Sequence, residues 1–474
     1  TQDQLEARRG GVWPEAGVTN PDTLIENNFS IDLWTGSGSA RSITTGIDTA
    51  NKGGLVWIKK RSGSAQHVLM DTVRGANRHL RSDGDSTDSS DTASVTAFSS
   101  TGFSLGTDDK VNASSSTYVA WTFKKAPNFF DIVTYEGTGS AQNISHNLGS
   151  NPGMILIKNR DQSDNWAVYH RQDDPNTASA DKYLILNSDA ALSSGTAAWF
   201  NYALPTSSVF TVNSDHSVNA SGENYVAYLF GHGTGDDSMI QCGQITGNGN
   251  DNREIDLGWE PQFVMFKRLD SDSGGNWTVR DDMRGLVVGG ADPYLRWDTT
   301  AAEDSDQNYL EPTPIGFKIG VRGDGDGTYF NQSGRSYVYM AIRRPNMATI
   351  TDATEVYKSV QGTGGDALAD IGFPTDFVIF KGAVTGSAEN VEIATRLQGR
   401  KISLRSHSSD AESVDNGGKW NFDRQNSFSQ QISSGSSNLM HNFKRAKGFL
   451  DVVCYNGTGS AKTEAHSLGV VPEM

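Results

Sequence analysis

One stretch of this chain is written twice. FDIVTYEGTGSAQNISHNLGSNPGMILIKNR runs from Phe130 to Arg160, and LDVVCYNGTGSAKTEAHSLGVVPEM follows the same plan from Leu450 to Met474. A chain that copies itself in this way is a repeat array, and the repeat limits its fold before any single residue is weighed. The unit reads as a strand at Asp131 to Tyr135, a Gly/Ser/Thr turn and a second short strand closed by Leu148-Gly149. A turn at Pro152 and a buried apolar strand ending in Lys158 complete it.

Weaker copies follow from two markers. The lysine-ended strand recurs as LVWIKK, MILIKN, FVMFKR and FVIFKG, with Lys59, Lys158, Lys267 and Lys381 spaced 99, 109 and 114 positions apart. A second strand keeps step: YVAWTFKK at Tyr118, YVAYLFGH at Tyr225, YVYMAIRR at Tyr337 and NLMHNFKR at Asn438. Before the lysine strand, Gly149-x-x-Pro152, Gly258-x-x-Pro261 and Gly372-x-Pro374 pair a flexible residue with a φ-locked one, while the first copy enters through Gly53-Gly54. The spacing divides the chain into an extended anchor at 1–29 and repeats at 30–129, 130–237, 238–348 and 349–449. Residues 450–474 start a further copy. That copy breaks off where its lysine strand should begin, so either the natural chain continues or these residues complete a sheet elsewhere.

Short apolar runs between clusters of Gly, Ser, Thr, Asn and Asp, with no sustained 3.6-residue period, predict an all-β fold. Seven or eight runs per repeat suit a β-sandwich, so the expected architecture is a tandem array of about four sandwiches plus a partial fifth. The net charge of −16 and scattered basic residues exclude a surface that tracks phosphates, so nucleic acid is not an expected partner. No run of about 18 apolar residues exists, which excludes membrane insertion by a helix. Two cysteines cannot make a disulfide framework; Cys242 and Cys454 are both assigned to the position of Thr134, as small buried strand residues.

Taken together, GLVWIKKRSG, HVLMDTVRGANRHLRSD, STGFSLG, YVAWTFKKA and the 130–160 stretch resemble the concanavalin A-like sandwich repeat of tail-fibre-like and structural proteins of marine bacteriophages. The resemblance covers about residues 29–237 well and the later copies through their strand skeleton. It implies jelly-roll-type sandwiches in a virion appendage exposed to the extracellular medium, with no enzymatic activity. The N-terminal segment would dock on other virion proteins. A homo-oligomer, a trimer as phage fibres commonly are, would present weak loop contacts to a host surface glycan by avidity. A capsid-decoration or tail-associated protein without a receptor is the rival reading, and a polysaccharide-degrading enzyme a third.

Four features carry candidate chemistry. EIDLGWE at Glu254 to Glu260 approaches the paired carboxylates of sandwich glucanases, but its second glutamate is at the wrong spacing and its Leu257-Gly258-Trp259-Glu260-Pro261 belongs to the turn. His146 and His466 share a repeat position that Ile255 and Ala369 fill elsewhere, which predicts a polar group facing solvent beside a turn. GDGDG at Gly323 to Gly327 resembles the opening of a calcium loop, with Asp324 and Asp326 as ligands; without the later glutamate a solvated hairpin is favoured, and no cofactor is expected beyond that Ca2+. Trp199 and Tyr202 in one long connection, and Trp420 and Phe422 in its counterpart, are the candidate sugar-stacking rings; plugs closing the open end of a sandwich are the blander alternative.

Overall fold

The computed structural model describes residues 20–472, apart from 173–181, 195–196, 236, 251–252, 271–274, 291, 306–308, 321–329, 349, 364–366, 384–390, 407, 415–418, 425–426 and 431–436. Strands dominate, and the helical pieces among the described residues are single turns of three or four residues. The fold is all-β and its sheets are antiparallel.

The first repeat supplies β1 (Phe29–Thr35), β2 (Arg41–Thr44), β3 (Gly54–Lys60), β4 (Val68–Asp71), β5 (Arg78–His79), β6 (Ser89–Ser90), β7 (Val95–Ser99), β8 (Gly102–Leu105) and β9 (Thr117–Lys124). Its larger sheet has the order β1-β9-β3-β4 and its smaller sheet β2-β8-β7. Side chains alternate across a strand, so Val56 and Ile58 of β3 meet Ile43, Phe103 and Leu105 of the smaller sheet, while Leu55 and Trp57 face the other way. Gly54 lets β3 start hard against β9: a Cβ there would lie 2.4 Å from the Phe123 carbonyl oxygen.

The larger sheet returns three times in the same order. It is Phe130–Glu136, Asn224–Phe230, Met154–Asn159 and Ala167–His170; then Ile240–Thr246, Ser336–Arg343, Pro261–Arg268 and Thr278–Asp281; then Tyr357–Thr363, Ser437–Phe443, Phe377–Ala383 and Val391–Thr395. Each closes an inner core with its own smaller sheet. On the inner side of the first repeat's larger sheet stands Asp32, on β1 opposite Ala120; it is buried, and its Oδ2 accepts from the Ser30 hydroxyl at 2.7 Å. Burial pushes this carboxyl up to about 7. A raised carboxyl binds its proton more tightly in the folded chain, so its penalty is absent below about pH 4, grows as pH rises, and is complete above about pH 7. Asp32→Asn is therefore expected to gain on the order of 2 kcal/mol at pH 8 and almost nothing at pH 4, measured by urea unfolding at both pH values. Equal gains at the two would remove this account.

The first three repeats fold around one another. The outer faces of their larger sheets meet in a single common core. Trp57 stacks on Trp297 with centroids 4.2 Å apart, Phe263 lies 5.8 Å from Phe29 and 6.0 Å from Trp121, and Phe123 lies 5.4 Å from both Phe130 and Phe230. Ile25, in the turns of residues 20–28, is buried in the same core.

Polar contacts between these repeats run in a cycle. His67, Trp166 and Trp277 occupy the same repeat position; Trp166 Nε1 donates to the Arg81 carbonyl at 2.8 Å and Trp277 Nε1 to the Ile185 carbonyl at 2.9 Å. His67 Nε2 is 2.9 Å from the Arg296 carbonyl, so second meets first, third meets second and first meets third. Four residues further on, Asp71 accepts from the Tyr228 hydroxyl at 2.7 Å, Asp281 from Trp121 Nε1 at 3.0 Å, and His170 Nε2 lies 3.1 Å from the Tyr339 carbonyl. Backbone bonds repeat the cycle: Asp88 N–H to Arg160 O, Leu192 N–H to Leu269 O and Glu303 N–H to Arg61 O. The arrangement is a pseudo-threefold one, with three similar surfaces related by rotation.

The lysine marker belongs to these seams. Lys59, Lys158 and Lys267 are fully buried, and burial pulls each ammonium down to about 8. Lys59 Nζ donates to the Thr300 carbonyl at 3.1 Å and Lys267 Nζ to the Asp189 carbonyl at 3.3 Å, each across a seam. Lys381 of the fourth repeat is exposed.

The fourth repeat sits beside this unit. Arg445 grips Glu260 through two bonds of 2.8 and 2.9 Å, and Val288 N–H donates to the Leu397 carbonyl at 2.7 Å. Residues 450–472 form no strand, yet they repeat the clasp that opens the second repeat. Asp131 accepts from the Asn147 backbone at 2.7 Å and Asp451 from the Ser467 backbone at 2.6 Å, with matching bridges Ala126↔Phe130 and Ala446↔Leu450.

Candidate functional site

The sequence-predicted rings divide by burial. Trp420 and Phe422 lie in the inner core of the fourth repeat, at 0% and 3% exposure, and Trp199 stacks on Tyr183 with centroids 3.9 Å apart at 7% exposure. A ring without an open face cannot cover a sugar, so these three act as packing and not as a ligand platform. Tyr202 alone is open, at 54%, on a residue with φ of +54°. The structure brings none of the four into a common site. Asp324 and Asp326 lie outside the described residues, and among the described ones no group of three metal-ligating side chains converges.

The glutamates of EIDLGWE are parted. Glu254 pairs across the smaller sheet with Lys318, whereas Glu260 is buried under Arg445. His146 departs from expectation: strand register sets Ile255 and Ala369 against the counterparts of Phe210, the place of Ile144, so His146 belongs to a two-residue longer turn. It is buried, with Nδ1 accepting from the Leu148 backbone at 3.3 Å and Nε2 3.2 Å from the Thr206 carbonyl, and burial lowers its pKa. His466 is exposed. Cys242 is also displaced from its assignment. It pairs with Met340, as Ile132 pairs with Tyr228, two positions before the place of Thr134 and Cys454. Burial pushes its thiol up to about 12, which leaves it protonated and a poor nucleophile.

Asp164 accepts from both His216 and Ser217, the latter at 3.0 Å. The serine therefore faces the carboxylate and not the imidazole, which is the wrong order for a nucleophile activated by a base.

A polar cleft of about 360 Å³ lies between the first and fourth repeats, and no sequence motif announces it. Its wall brings together Trp34 of β1, Arg61 just beyond β3, and Arg400, Asp423 and Arg424 from two connections of the fourth repeat. Arg61 is held by Glu303 through bonds of 2.8 and 2.8 Å. Arg400 is half-exposed and 3.4 Å from Asp423, whose carboxyl is raised by burial against the pull of Arg400 and Arg61. Arg424 Nε is buried without a hydrogen-bond partner among the described residues. Three guanidinium groups against two carboxylates give a cationic recess on an acidic chain, suited to a small carboxylate, sulfate or phosphate group.

Residues 26–344 match the profile of a family described as "Domain of unknown function (DUF7483)". No curated protein matches the chain. The matched span begins three residues before β1 and ends one residue after the last strand of the third larger sheet, so it covers the unit built around the common core.

Proposed function

The chain belongs to the DUF7483 family, and from that premise we propose that it is a non-enzymatic appendage of a phage virion, tail-fibre-like, that holds distance and meets a host surface through several weak contacts. The observation that carries this reading is the use of both faces of three sheets in packing. A body closed in that way is stiff, and it leaves loops and clefts as its contact surface. Several buried ionisable groups support it too: Asp71 is paired with Arg74, Glu260 with Arg445, and the seam lysines are bonded to backbone carbonyls, all in structural pairings.

The rival reading, a capsid-decoration or tail-associated protein without a receptor, uses the same stiffness. Labelling the N-terminus and imaging particles separates them: a label at the tail or a vertex supports the appendage, and one that follows the capsid lattice supports decoration. The arginine cleft favours acidic glycans as the contacted surface. Arg400→Ala together with Tyr202→Ala is expected to weaken host-cell or acidic-glycan binding at least about tenfold, worth about 1.4 kcal/mol, while leaving the melting temperature unchanged. Unchanged binding removes these residues from the contact, and release of reducing ends from such glycans by the intact chain would end the non-enzymatic reading.

A further inference from the structure

The fourth larger sheet carries the face that the other three bury. Register places Phe377 where Phe263 stands, Ile379 at Met265, Ile393 at Val279, Leu404 at Leu295, Leu439 at Val338 and Phe443 at Ile342. The six residues of the third repeat are at most 1% exposed and belong to the common core. Their counterparts remain apolar, but Leu404 and Leu439 are each 39% exposed and the others half-buried, and none joins a core cluster. Lys381 is exposed where its three equivalents are sealed in seams.

We propose that this face is an association surface whose occupants are the fourth repeats of two other copies of the same chain. The occupant is argued from the molecule itself. Three homologous faces already assemble around one core within the chain, which makes this face self-complementary under a threefold rotation, and a largely apolar sheet face in water, broken by His441 at the place of Met340 and Ser359 at that of Cys242, marks an interaction site. Two faces meeting would leave a third side of the wedge open. The contact is mainly apolar, because Val391 and Thr395 replace the seam donors and acceptors His67, Trp166 and Trp277, and Asp71, Asp281 and His170. This inference stands apart from the glycan reading, since a trimer that binds no glycan leaves it intact.

The test is sedimentation equilibrium of the intact chain at micromolar concentration. The expected mass is that of three chains, and Ile379→Glu or Leu404→Glu, each on the open face of a sheet that retains its own inner core, should return it to that of one. Val73→Glu, 43% exposed in the turn after β4 of the first repeat and away from this face, should leave the trimer intact. Far-UV circular dichroism confirms that each variant is folded. A wild-type chain that is monomeric or dimeric overturns the proposal, including one that stays monomeric while binding a hydrophobic dye. So does a folded pair of face variants that remain trimeric.

Discussion

Phe263→Ala is expected to cost about 3–5 kcal/mol, whereas Phe377→Ala, the same substitution one repeat later, should cost under about 1 kcal/mol. Phe263 is fully buried where three repeats meet, against Phe29, Trp121 and Trp297, so truncation opens a cavity that three sheets would have to shift to fill. Phe377 is only half-buried and packs on Phe443 of its own sheet. Guanidinium unfolding followed by tryptophan fluorescence, at nanomolar chain so that association plays no part, gives both values. Similar costs for the two would mean that the common core does not exist.

The second large effect is expected at Arg74. Its Nε lies 2.5 Å from Asp71 and its Nη1 3.2 Å from Asp88, while Nη2 donates to the Tyr228 hydroxyl of the second repeat at 3.0 Å. All three ionic side chains are fully enclosed. Arg74→Met keeps most of the volume but leaves the buried Asp71 without its cation, while Asp88 keeps Arg160 at 3.0 Å and Arg78 at 3.4 Å; the uncompensated charge costs about 3–5 kcal/mol near neutral pH. Urea unfolding at pH 7 measures it beside the double variant Arg74→Met, Asp71→Asn, which removes the unpaired charge and should recover part of the loss. A double variant no more stable than the single one would show that volume, not charge, sets the cost.

The strand order was legible because the markers are local: LVWIKK and its three copies are strands, and YVAWTFKK and its counterparts are the strands beside them. The common core was less so, although a sign of it was present. A sandwich strand with one wet face alternates, while Leu55-Val56-Trp57-Ile58 is apolar throughout, as in a strand covered on both sides. What covers the second side lies roughly a hundred or more residues away, and nothing in the strand names it. The candidate site was hidden for the same reason. Arg61, Arg400 and Arg424 share no motif and meet only because the fourth repeat docks near β3. The aromatic signal misled in the opposite direction: Trp420 in a polar connection resembles a sugar platform, but the connection folds inward and the ring seals the sandwich.

The stack of Trp57 on Trp297 joins residues 240 positions apart. During synthesis at about 5–20 residues per second, the first sheet therefore leaves the ribosome and waits roughly 10–50 seconds for its lid to be translated. Over that interval its wet tryptophans are a target for holding chaperones and for other nascent chains. Yield in a cell should thus depend on translation speed through the second and third repeats more than on the stability of the finished protein.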